Sequence, residues 1–468
     1  MADIRCDFNG VLARWIGKHG IQEKWFQGIE PRVKTAVRDL QKRRGRGMTG
    51  WYELPYEQAQ VKKILASARR KRGRYDEVVV LGIGGSALGT IALRTALLHP
   101  FHNLLPRRER QGIPRLHVLD NVDPVLMAGL FDELLDIHRT LFIVISKSGS
   151  TAETMAQFLF VCEFLESCLG ARRLRQHLVA VTDREKGHLR PIADDLGLES
   201  YWIGDGVGGR FSVLSPVGLL PAALCGMNVR ELLAGAARMD KRTKVASLYQ
   251  NPAALYAAVH YLADTRLGAR MSVMMPYASA LRDFADWFCQ LWAESLGKAV
   301  SRKGRTVHAG LTPVKALGVT DQHSQVQLYA EGPFDKVVTF LSVEKFGTRV
   351  PIPRIYPDVA EIGYLGGQDF QTLFEAERKA TALALSDAGR MNLTLTLPRL
   401  DAHALGGLFF LFEVATALAG ELYDIDAFNQ PGVEAGKRAT YALMGRKGYE
   451  EEAGRIAGRK RGDKKYLL

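Results

Sequence analysis

The stretch from Leu141 to Thr154 has the residue types of a phosphate-binding loop. Five consecutive apolar residues, Leu141 to Ile145, have the length and β-branching of a buried parallel strand. A loop rich in hydroxyl groups follows at once, and a helix with free N–H groups begins near Thr151. The loop residues are Ser146, Lys147, Ser148, Gly149, Ser150 and Thr151. The pattern fits a site for a phosphate monoester, and by itself it fits an ordinary serine-rich turn equally well.

A second strand, loop and helix begin at Glu77 and include the segment Gly82-Ile-Gly-Gly-Ser86. The glycines also match the variant G-x-G-x-x-A of the dinucleotide fingerprint, which is a weak signal alone. The acidic residue that this fingerprint requires would be Asp120, which lies farther along the chain than the usual interval of about 20 residues. A dinucleotide needs only this loop, whereas a phosphorylated sugar can use both loops. We therefore predict a phosphosugar as ligand.

Two further segments offer groups for proton transfer and charge stabilisation. A glycine-rich loop delivers Arg210, for which the alternative is an ordinary surface arginine. A predicted helix from Ala280 to Gly297 places Gln290 and Glu294 one turn apart on one face. Glu294 lies in the last turn, where the helix dipole disfavours a negative charge, and the pattern alone is more typical of a solvated carboxylate.

Polar side chains crowd around His323, whose imidazole titrates near neutral pH. Asp321 is placed to orient the ring, and Gln322, Gln325 and Gln327 are placed to bind sugar hydroxyls. A helix-starting turn rich in amides is the alternative. Near the end of the chain a Pro-Gly turn after Gln430 precedes a helix whose first turns contain Glu434 and Lys437.

These residues require strands and helices that alternate along the chain. Strands that end near Leu81, Asp120, Ile145 and Asp183 predict a parallel, doubly wound sheet with a ligand crevice at its carboxyl edge. The strand Met271–Pro276 begins a second unit of the same kind, which is completed by strands over 336–343 and 392–397.

Composition and length limit the class of protein. A chain of 468 residues with 47% hydrophobic and 24% charged residues predicts two or three globular domains. No apolar run reaches the roughly 18 residues of a membrane span, and the first residues lack an apolar signal region. Five cysteines without C-x-x-C spacing argue against disulfides and a structural zinc. We expect a cytoplasmic protein with no membrane partner.

The net charge of +13 allows nucleic acid as a partner, so its distribution matters. Much of it lies in three runs, 32–46, 69–74 and 455–465, and none of them is interleaved with stacking aromatic residues. Solvated helix faces and a basic tail explain such runs better than nucleic-acid binding does. A basic balance also suits an anionic small substrate.

Five separated segments together resemble the phosphoglucose isomerase family, aldose–ketose isomerases built from two sugar-isomerase (SIS) domains. The matching segments are Gly82–Ser86, Ser146–Thr154, Gly208–Gly218, Gln290–Lys298 and Gln430–Lys437. His323 lies between the last two segments, as it does in the family. One segment alone would be a weak indication, whereas all five in this order are specific.

The resemblance implies a role for each residue by its position. Glu294 would move a proton between C1 and C2, and Arg210 would stabilise the cis-enediol(ate) intermediate. His323 and Lys437 would assist opening of the sugar ring. The remaining residues would bind substrate, mainly its phosphate: Gly85, Ser86, Ser146, Lys147, Ser148, Gly149, Ser150, Thr151, Gln290 and Gln430. No metal or cofactor is implied.

Together these arguments predict an α/β protein with two SIS-type doubly wound parallel-sheet domains, each a three-layer αβα arrangement, and additional N- and C-terminal helices. The expected divisions are a helical segment 1–50 that packs on the larger domain, a first SIS domain 51–222 with the phosphate loops, a second and larger SIS domain 223–445 with the catalytic Glu, His and Lys, and a basic tail 446–468. By resemblance we expect a homodimer in which the partner subunit supplies the histidine.

Several functions remain open at this point. The first is interconversion of glucose 6-phosphate and fructose 6-phosphate. The second adds mannose 6-phosphate as a substrate, because Ser148-Gly-Ser150 stands where many members have a threonine-rich loop. A third is a non-catalytic SIS regulator, disfavoured by the presence of Glu294, His323, Lys437 and Arg210. A nicotinamide-dependent oxidoreductase is disfavoured by the second phosphate loop.

Overall fold

The computed structural model describes residues 3–134, 136–459, 462 and 465. Its strands are β1 (Arg5–Asp7), β2 (Glu77–Leu81), β3 (Arg115–Leu119), β4 (Thr140–Ile145), β5 (Leu178–Thr182), β6 (Glu199–Trp202), β7 (Met271–Pro276), β8 (Lys298–Val300), β9 (Thr306–Ala309), β10 (Thr312–Lys315), β11 (Lys336–Lys345) and β12 (Asn392–Arg399).

The α-helices are α1 (Ala13–Ile16), α2 (Glu23–Arg43), α3 (Gln58–Lys71), α4 (Leu88–Leu97), α5 (Pro124–Gly129), α6 (Ala152–Leu169), α7 (Ala171–His177), α8 (Leu189–Asp195), α9 (Pro216–Leu224), α10 (Val229–Thr243), α11 (Pro252–Leu267), α12 (Arg282–Leu296), α13 (Val326–Glu331), α14 (Ala360–Gly363), α15 (Phe370–Asp387), α16 (Ala402–Tyr423), α17 (Glu434–Leu443) and α18 (Glu450–Ala457).

The first sheet has the strand order β3-β2-β4-β5-β6, and all its strands are parallel. The central strands β2 and β4 are buried along their whole length, as a sheet covered by helices on both faces requires. The strand order reverses between β2 and β4, and ligands of such sheets bind at that point, beyond the carboxyl ends of the strands. Leu81 is paired with Val144 at this edge, so the loops that follow both strands lie side by side.

The second sheet has the order β1-β12-β11-β7-β10. Its last four strands are parallel, and their order also reverses at the first of them in the chain, β7. The edge strand β1 is antiparallel to β12, which attaches the N-terminal segment to this sheet. The prediction of two parallel sheets is therefore confirmed, with one antiparallel edge strand added to the second. The described chain also has a two-stranded ribbon of β8 and β9.

Helix α16 lies in the core of the second half. By length and composition it could cross a membrane, with a mean hydropathy of 1.6, but 89% of its most apolar window is buried inside the protein. Its residues Phe409 and Phe412 contact Phe284 of α12 and Tyr256 of α11, with ring centroids 5.2 and 5.1 Å apart. This packing explains why α16 is apolar around its whole circumference.

Glu413 is an acidic residue in the buried middle of α16. Its side chain is fully buried, and neither carboxylate oxygen has a hydrogen-bond partner among the described residues. Burial without a partner raises the pKa of Glu413 well above its ordinary value, so the folded state keeps the proton to higher pH than the unfolded state does. Stability therefore falls as pH rises above about 4.5, by up to about 1.4 kcal/mol per pH unit.

We expect the substitution Glu413→Gln to keep the fold and to remove this pH dependence, because an amide is the neutral isostere of the protonated acid. The check is the free energy of unfolding in urea at pH 5 to 8, at one protein concentration. The difference between the variant and the natural protein should grow with pH in favour of the variant. If the free energy of unfolding changes with pH in the same way for both proteins, Glu413 is not protonated in the folded state.

The ends of the chain differ in part from the sequence-based prediction. The segment 446–468 was expected to be a basic tail, but residues 450–457 form helix α18. Three glutamates in the first turn and an arginine in the last turn suit the dipole of this helix. Much of 460–468 lies outside the described residues. The domain boundaries at 50, 222 and 445 stay predictions.

Candidate active site

Arg210 lies at the junction of the two halves of the chain, and its side chain is only 3% exposed. The guanidinium Nε donates to the hydroxyl of Ser295 at 2.7 Å. Nη2 donates to the carbonyl oxygens of Ala427 at 2.7 Å and Asn429 at 3.1 Å, and Nη1 donates to Gln430 Oε1 at 3.2 Å. Burial lowers the pKa of Arg210, and an arginine so placed still remains charged. The guanidinium is thus a fixed cation.

Glu294 faces this cation from the last turn of α12. Its Oε1 lies 3.3 Å from Nη1 of Arg210, and its Oε2 accepts a hydrogen bond of 3.1 Å from Nε2 of Gln290. The side chain of Glu294 is 26% exposed, so a ligand can reach the carboxylate. Arg210, Glu294, Gln290 and Gln430 therefore form one network, although they come from three segments far apart in the sequence.

The glycine loop after β2 packs directly against the loop that contains Arg210. A Cβ atom on Gly85 would lie 2.2 Å from the carbonyl carbon of Gly209 and 2.7 Å from the backbone nitrogen of Arg210. No side chain fits at that position. The hydroxyl of Ser212 also donates to the carbonyl oxygen of Gly85 at 3.3 Å. Ser86, the next residue, is therefore held close to the Arg210 network.

The hydroxyl loop after β4 has an internal frame of hydrogen bonds. Ser146 Oγ accepts from the backbone N–H of Gly149 at 3.0 Å, and the hydroxyl of Ser150 donates to Ser148 Oγ at 2.9 Å. Gly149 has a φ of +62°, and a Cβ there would lie 2.1 Å from the backbone nitrogen of Leu189, so only glycine fits. Thr151 makes no side-chain capping bond at the start of α6, which leaves the helix N–H groups to bind an anion.

The side chain of Lys147, unlike those of the neighbouring serines, binds another segment of the chain. Its ammonium group donates to the carbonyl oxygens of Gly204 at 3.2 Å and Val207 at 3.0 Å, and burial lowers its pKa. The side chain thus ties the hydroxyl loop to the loop before Arg210. Two of the three N–H groups of this ammonium are thus bonded within the protein, which a sequence pattern does not show.

His323 lies apart from the network around Arg210. It is exposed, and no hydrogen bond or ion pair joins it to Glu294 or Arg210 within the described part of the chain. The expectation that Asp321 orients the imidazole is wrong. Its carboxylate accepts from the backbone N–H of Leu317 at 2.7 Å and from the hydroxyl of Ser324 at 2.5 Å.

The glutamines near His323 are occupied within the subunit. Gln322 bonds to Tyr277 and donates to Glu377 at 2.7 Å. Gln325 accepts from the hydroxyl of Tyr329 at 2.6 Å, and Gln327 donates to Glu331 at 3.0 Å. The alternative from the sequence, a turn that uses its amides locally, therefore fits these three side chains better than sugar binding.

Lys437 is exposed on α17 and forms an ion pair of 2.8 Å with Glu434. Helix α17 also contacts the hydroxyl loop through Tyr441, a residue that the sequence analysis did not single out. The hydroxyl of Tyr441 donates to the carbonyl oxygen of Ser150 at 3.1 Å. Tyr441, which lies one turn of α17 after Lys437, thus contacts the hydroxyl loop.

The described residues do not include a cluster of metal-type ligands. Over residues 3–134 and 136–459, no three His, Cys, Asp or Glu side chains lie together in a way that could hold a metal ion. The network described above contains instead the buried guanidinium of Arg210 and the accessible carboxylate of Glu294. This set suits proton transfer on an anionic organic molecule.

Two doubly wound α/β units, with two phosphate-type loops opposite a carboxylate and a buried arginine, define a protein of the sugar-isomerase (SIS) type. The chain belongs to the phosphoglucose isomerase family, whose model matches residues 67–344. It is similar to a glucose-6-phosphate isomerase of Carboxydothermus hydrogenoformans, with 47% identity over 96% of both chains. It is also 46% identical to a glucose-6-phosphate isomerase of Rubrobacter xylanophilus, over 96% of this chain and 100% of the relative.

Solved structures agree with the fold. A hypothetical protein from Thermus thermophilus has a TM-score of 0.84 and 35% identity, over 94% of this chain and 99% of the other. A glucose-6-phosphate isomerase from Chlamydia trachomatis has a TM-score of 0.78 and 21% identity, over 93% of this chain and 89% of the other. The arrangement of the two sheets is therefore the one found in these proteins.

Proposed function

We propose that the chain interconverts glucose 6-phosphate and fructose 6-phosphate in glycolysis and gluconeogenesis, by proton transfer through a cis-enediol(ate). Relatives that are 46 and 47% identical over nearly the whole chain bear the name of this isomerase. The single observation that carries the mechanism is the contact of 3.3 Å between Glu294 and the buried Arg210, beside two loops suited to phosphate. A cytoplasmic location belongs to the same proposal, because glycolysis runs there.

The phosphate group of the substrate would bind between the two loops. Ser86, Ser148, Ser150 and Thr151 offer hydroxyl groups, and the backbone of Gly85 and the first turn of α6 offer N–H groups. The hydroxyl oxygen of Ser146 accepts from Gly149, which orders the loop and leaves the hydroxyl hydrogen of Ser146 to donate to the phosphate. A phosphate held here leaves the other end of the sugar to extend toward Glu294.

Proton transfer needs a base and a fixed cation, because a proton on the carbon next to a carbonyl group is very weakly acidic. The carboxylate of Glu294 removes the proton from C2 of the open-chain aldose, and the electron pair moves to the carbonyl oxygen on C1. Arg210 stabilises the negative charge that develops there. Return of the proton to C1, with movement of the hydroxyl proton from C2 to the oxygen on C1, gives the ketose.

Ring opening precedes this step, and His323 and Lys437 are the groups proposed for it. Lys437 would contact the substrate when α17 lies against the hydroxyl loop.

We expect Tyr441→Phe to raise the KM for fructose 6-phosphate about two- to tenfold, because one hydrogen bond between α17 and Ser150 is lost. Steady-state kinetics check this, with Tyr449→Phe as the control, since the ring of Tyr449 packs edge-to-face against Tyr441 with centroids 5.3 Å apart and phenylalanine keeps that ring. Equal KM values in both variants would contradict the role of Tyr441.

We further propose a homodimer in which His323 acts on the partner's substrate. The segment after β11 exposes many large apolar side chains, an unusual surface for a monomer. They are Phe346, Val350, Ile355, Tyr356, Val359, Ile362, Tyr364 and Phe370. This apolar surface adjoins His323, because Gln322 is bonded to Glu377 on α15, the helix that Phe370 begins. A second copy that covers the surface would bring His323 to an interface.

The activity is tested by conversion of fructose 6-phosphate to glucose 6-phosphate in the presence of a chelator, with mannose 6-phosphate as second substrate. Turnover that survives the chelator and collapses in Glu294→Gln supports the proposal. Turnover of mannose 6-phosphate would widen the substrate range. A protein that binds the sugar phosphate but converts neither substrate would be a non-catalytic regulator instead.

The shared site is tested by mixing two inactive variants, His323→Ala and Glu294→Gln, under conditions in which subunits exchange. Each mixed dimer should have about half of the natural activity, because one of its two sites has both groups intact, and an equimolar mixture after random exchange should have about a quarter. No recovery, with exchange demonstrated by labelled subunits, would show that His323 serves its own chain.

A further inference from the structure

Lys298 lies buried directly behind Glu294. It is the second residue after α12, and its ammonium group donates to the carbonyl oxygen of Glu294 at 2.8 Å and to that of Ser295 at 2.7 Å. The first of these residues is the proposed base, and the hydroxyl of the second binds Nε of Arg210 at 2.7 Å. The ammonium group of Lys298 therefore binds the backbone of both Glu294 and Ser295. These two residues determine the distance between the carboxylate of Glu294 and the guanidinium of Arg210.

A buried ammonium group is costly, so its presence here needs a reason. The charged groups around Lys298 are Arg210, Asp426 and Glu294. Burial, and next the positive charge of Arg210, lower the pKa of Lys298 to about 8. The two carbonyl groups that it binds belong to the last turn of α12, where the helix dipole is negative and the ammonium charge is favourable.

We infer that Lys298 is a positioning residue for the isomerisation, which acts by fixing the last turn of α12 so that Glu294 and Arg210 keep their relative position. The inference rests on the proposed function. Lys298 is not placed to contact the substrate, because two of its N–H groups are bonded to the backbone and the residue is 6% exposed. Its effect passes through Glu294 and Ser295.

The test compares Lys298→Met, which keeps most of the length of the side chain but removes donor and charge, with Lys298→Gln, which keeps a neutral donor. The matched control is Lys336→Met, because Lys336 is also buried and donates to a carbonyl oxygen, that of Pro333 at 3.1 Å, away from the site. We expect Lys298→Met to lower kcat by about 10- to 100-fold, since a displacement of about 1 Å can cost about 100-fold. Lys298→Gln should recover part of this loss, and Lys336→Met should keep the natural kcat.

Two readouts separate positioning from loss of fold. The KM for fructose 6-phosphate and the inhibition constant of inorganic phosphate should stay within about twofold of natural values in all three variants, because the phosphate loops are untouched. The kcat of the natural protein should fall as pH rises through about 8, where Lys298 loses its proton, and this limb should be absent in Lys298→Met.

Different results of these measurements would refute the role of Lys298 and the proposed function. Natural kcat in Lys298→Met, or an equal loss in Lys336→Met, would overturn the role of Lys298 while Glu294→Gln still abolishes turnover. An unchanged alkaline limb in Lys298→Met would also overturn it. Lack of isomerase activity in the natural protein would refute the proposed function itself.

Discussion

Replacement of Glu294 by glutamine is expected to lower kcat for fructose 6-phosphate by about 10²- to 10⁴-fold, the usual contribution of a positioned acid–base group. Glutamine has nearly the same shape and can still accept from Gln290, but its amide cannot take a proton from carbon. The KM should change little, because the phosphate loops supply most of the ground-state binding. This split between kcat and KM is the mark of a group that acts in the transition state.

The measurement is steady-state kinetics together with exchange of the transferred proton for solvent deuterium. Both conversion and exchange should fall together in Glu294→Gln. The control is Asp286→Asn on the same helix, about two turns before Glu294, where the carboxylate pairs with Lys315 at 2.5 Å. Exchange that persists at the natural rate in Glu294→Gln would assign the base to another residue.

Arg210→Lys is expected to lower kcat by about 10²- to 10³-fold, the effect of removing one preorganised donor from an oxyanion site. A lysine keeps the charge but not the planar fork, and it cannot make the bonds to Ser295, Ala427, Asn429 and Gln430 at once. Charge alone is therefore not enough to fix the cation beside Glu294. The variant should also lose some stability, because two backbone carbonyl oxygens lose their donor.

The appropriate control is Arg190→Lys, which replaces a half-buried arginine that donates to Ser200 at 3.0 Å and has no bond to the network of Arg210 and Glu294. Kinetics and thermal unfolding are measured on both variants. We expect both to fold, and only Arg210→Lys to lose activity. A natural kcat in Arg210→Lys would show that any cation at this position suffices, or that the intermediate is stabilised elsewhere.

The buried central strands were predictable from the sequence, whereas the edge strands β1 and β6 were not. The apolar runs that end at Leu81 and Ile145 correspond to β2 and β4, because strands covered on both faces need apolar residues throughout. The edge strands β1 and β6 contain polar and partly exposed residues, and such strands have no hydrophobic pattern to detect. Their places are set by hydrogen bonds to neighbours far along the chain.

The candidate site divides in the same way. The loops Gly82–Ser86 and Ser146–Thr151 follow directly from strand, loop and helix, so their position at one sheet edge was predictable. The contact between Arg210 and Glu294 joins residues 84 positions apart, and the burial of Arg210 needs carbonyl oxygens from the 427–429 segment. No local pattern encodes such a contact.

The lysine side chains of the site show most clearly what the sequence could not predict. Lys147 and Lys298 both lie in segments that the sequence singled out, yet their ammonium groups bind backbone carbonyl oxygens within the fold. Their residue types would have suited contact with a phosphate equally well. The direction of a long, flexible side chain depends on the acceptors that other segments bring near, and only the folded chain provides these.

The sequence by itself determined the family, the two α/β units, the phosphate-type loops and the identity of the groups available for proton transfer, because each depends on local pattern and on the order of segments. The tertiary structure decided that Arg210 is a buried, fully bonded cation against Glu294, that Lys298 supports both, and that His323 stands apart on an exposed surface. The physical reason is that charge, burial and hydrogen-bond partners belong to positions in space, which distant parts of the chain create together.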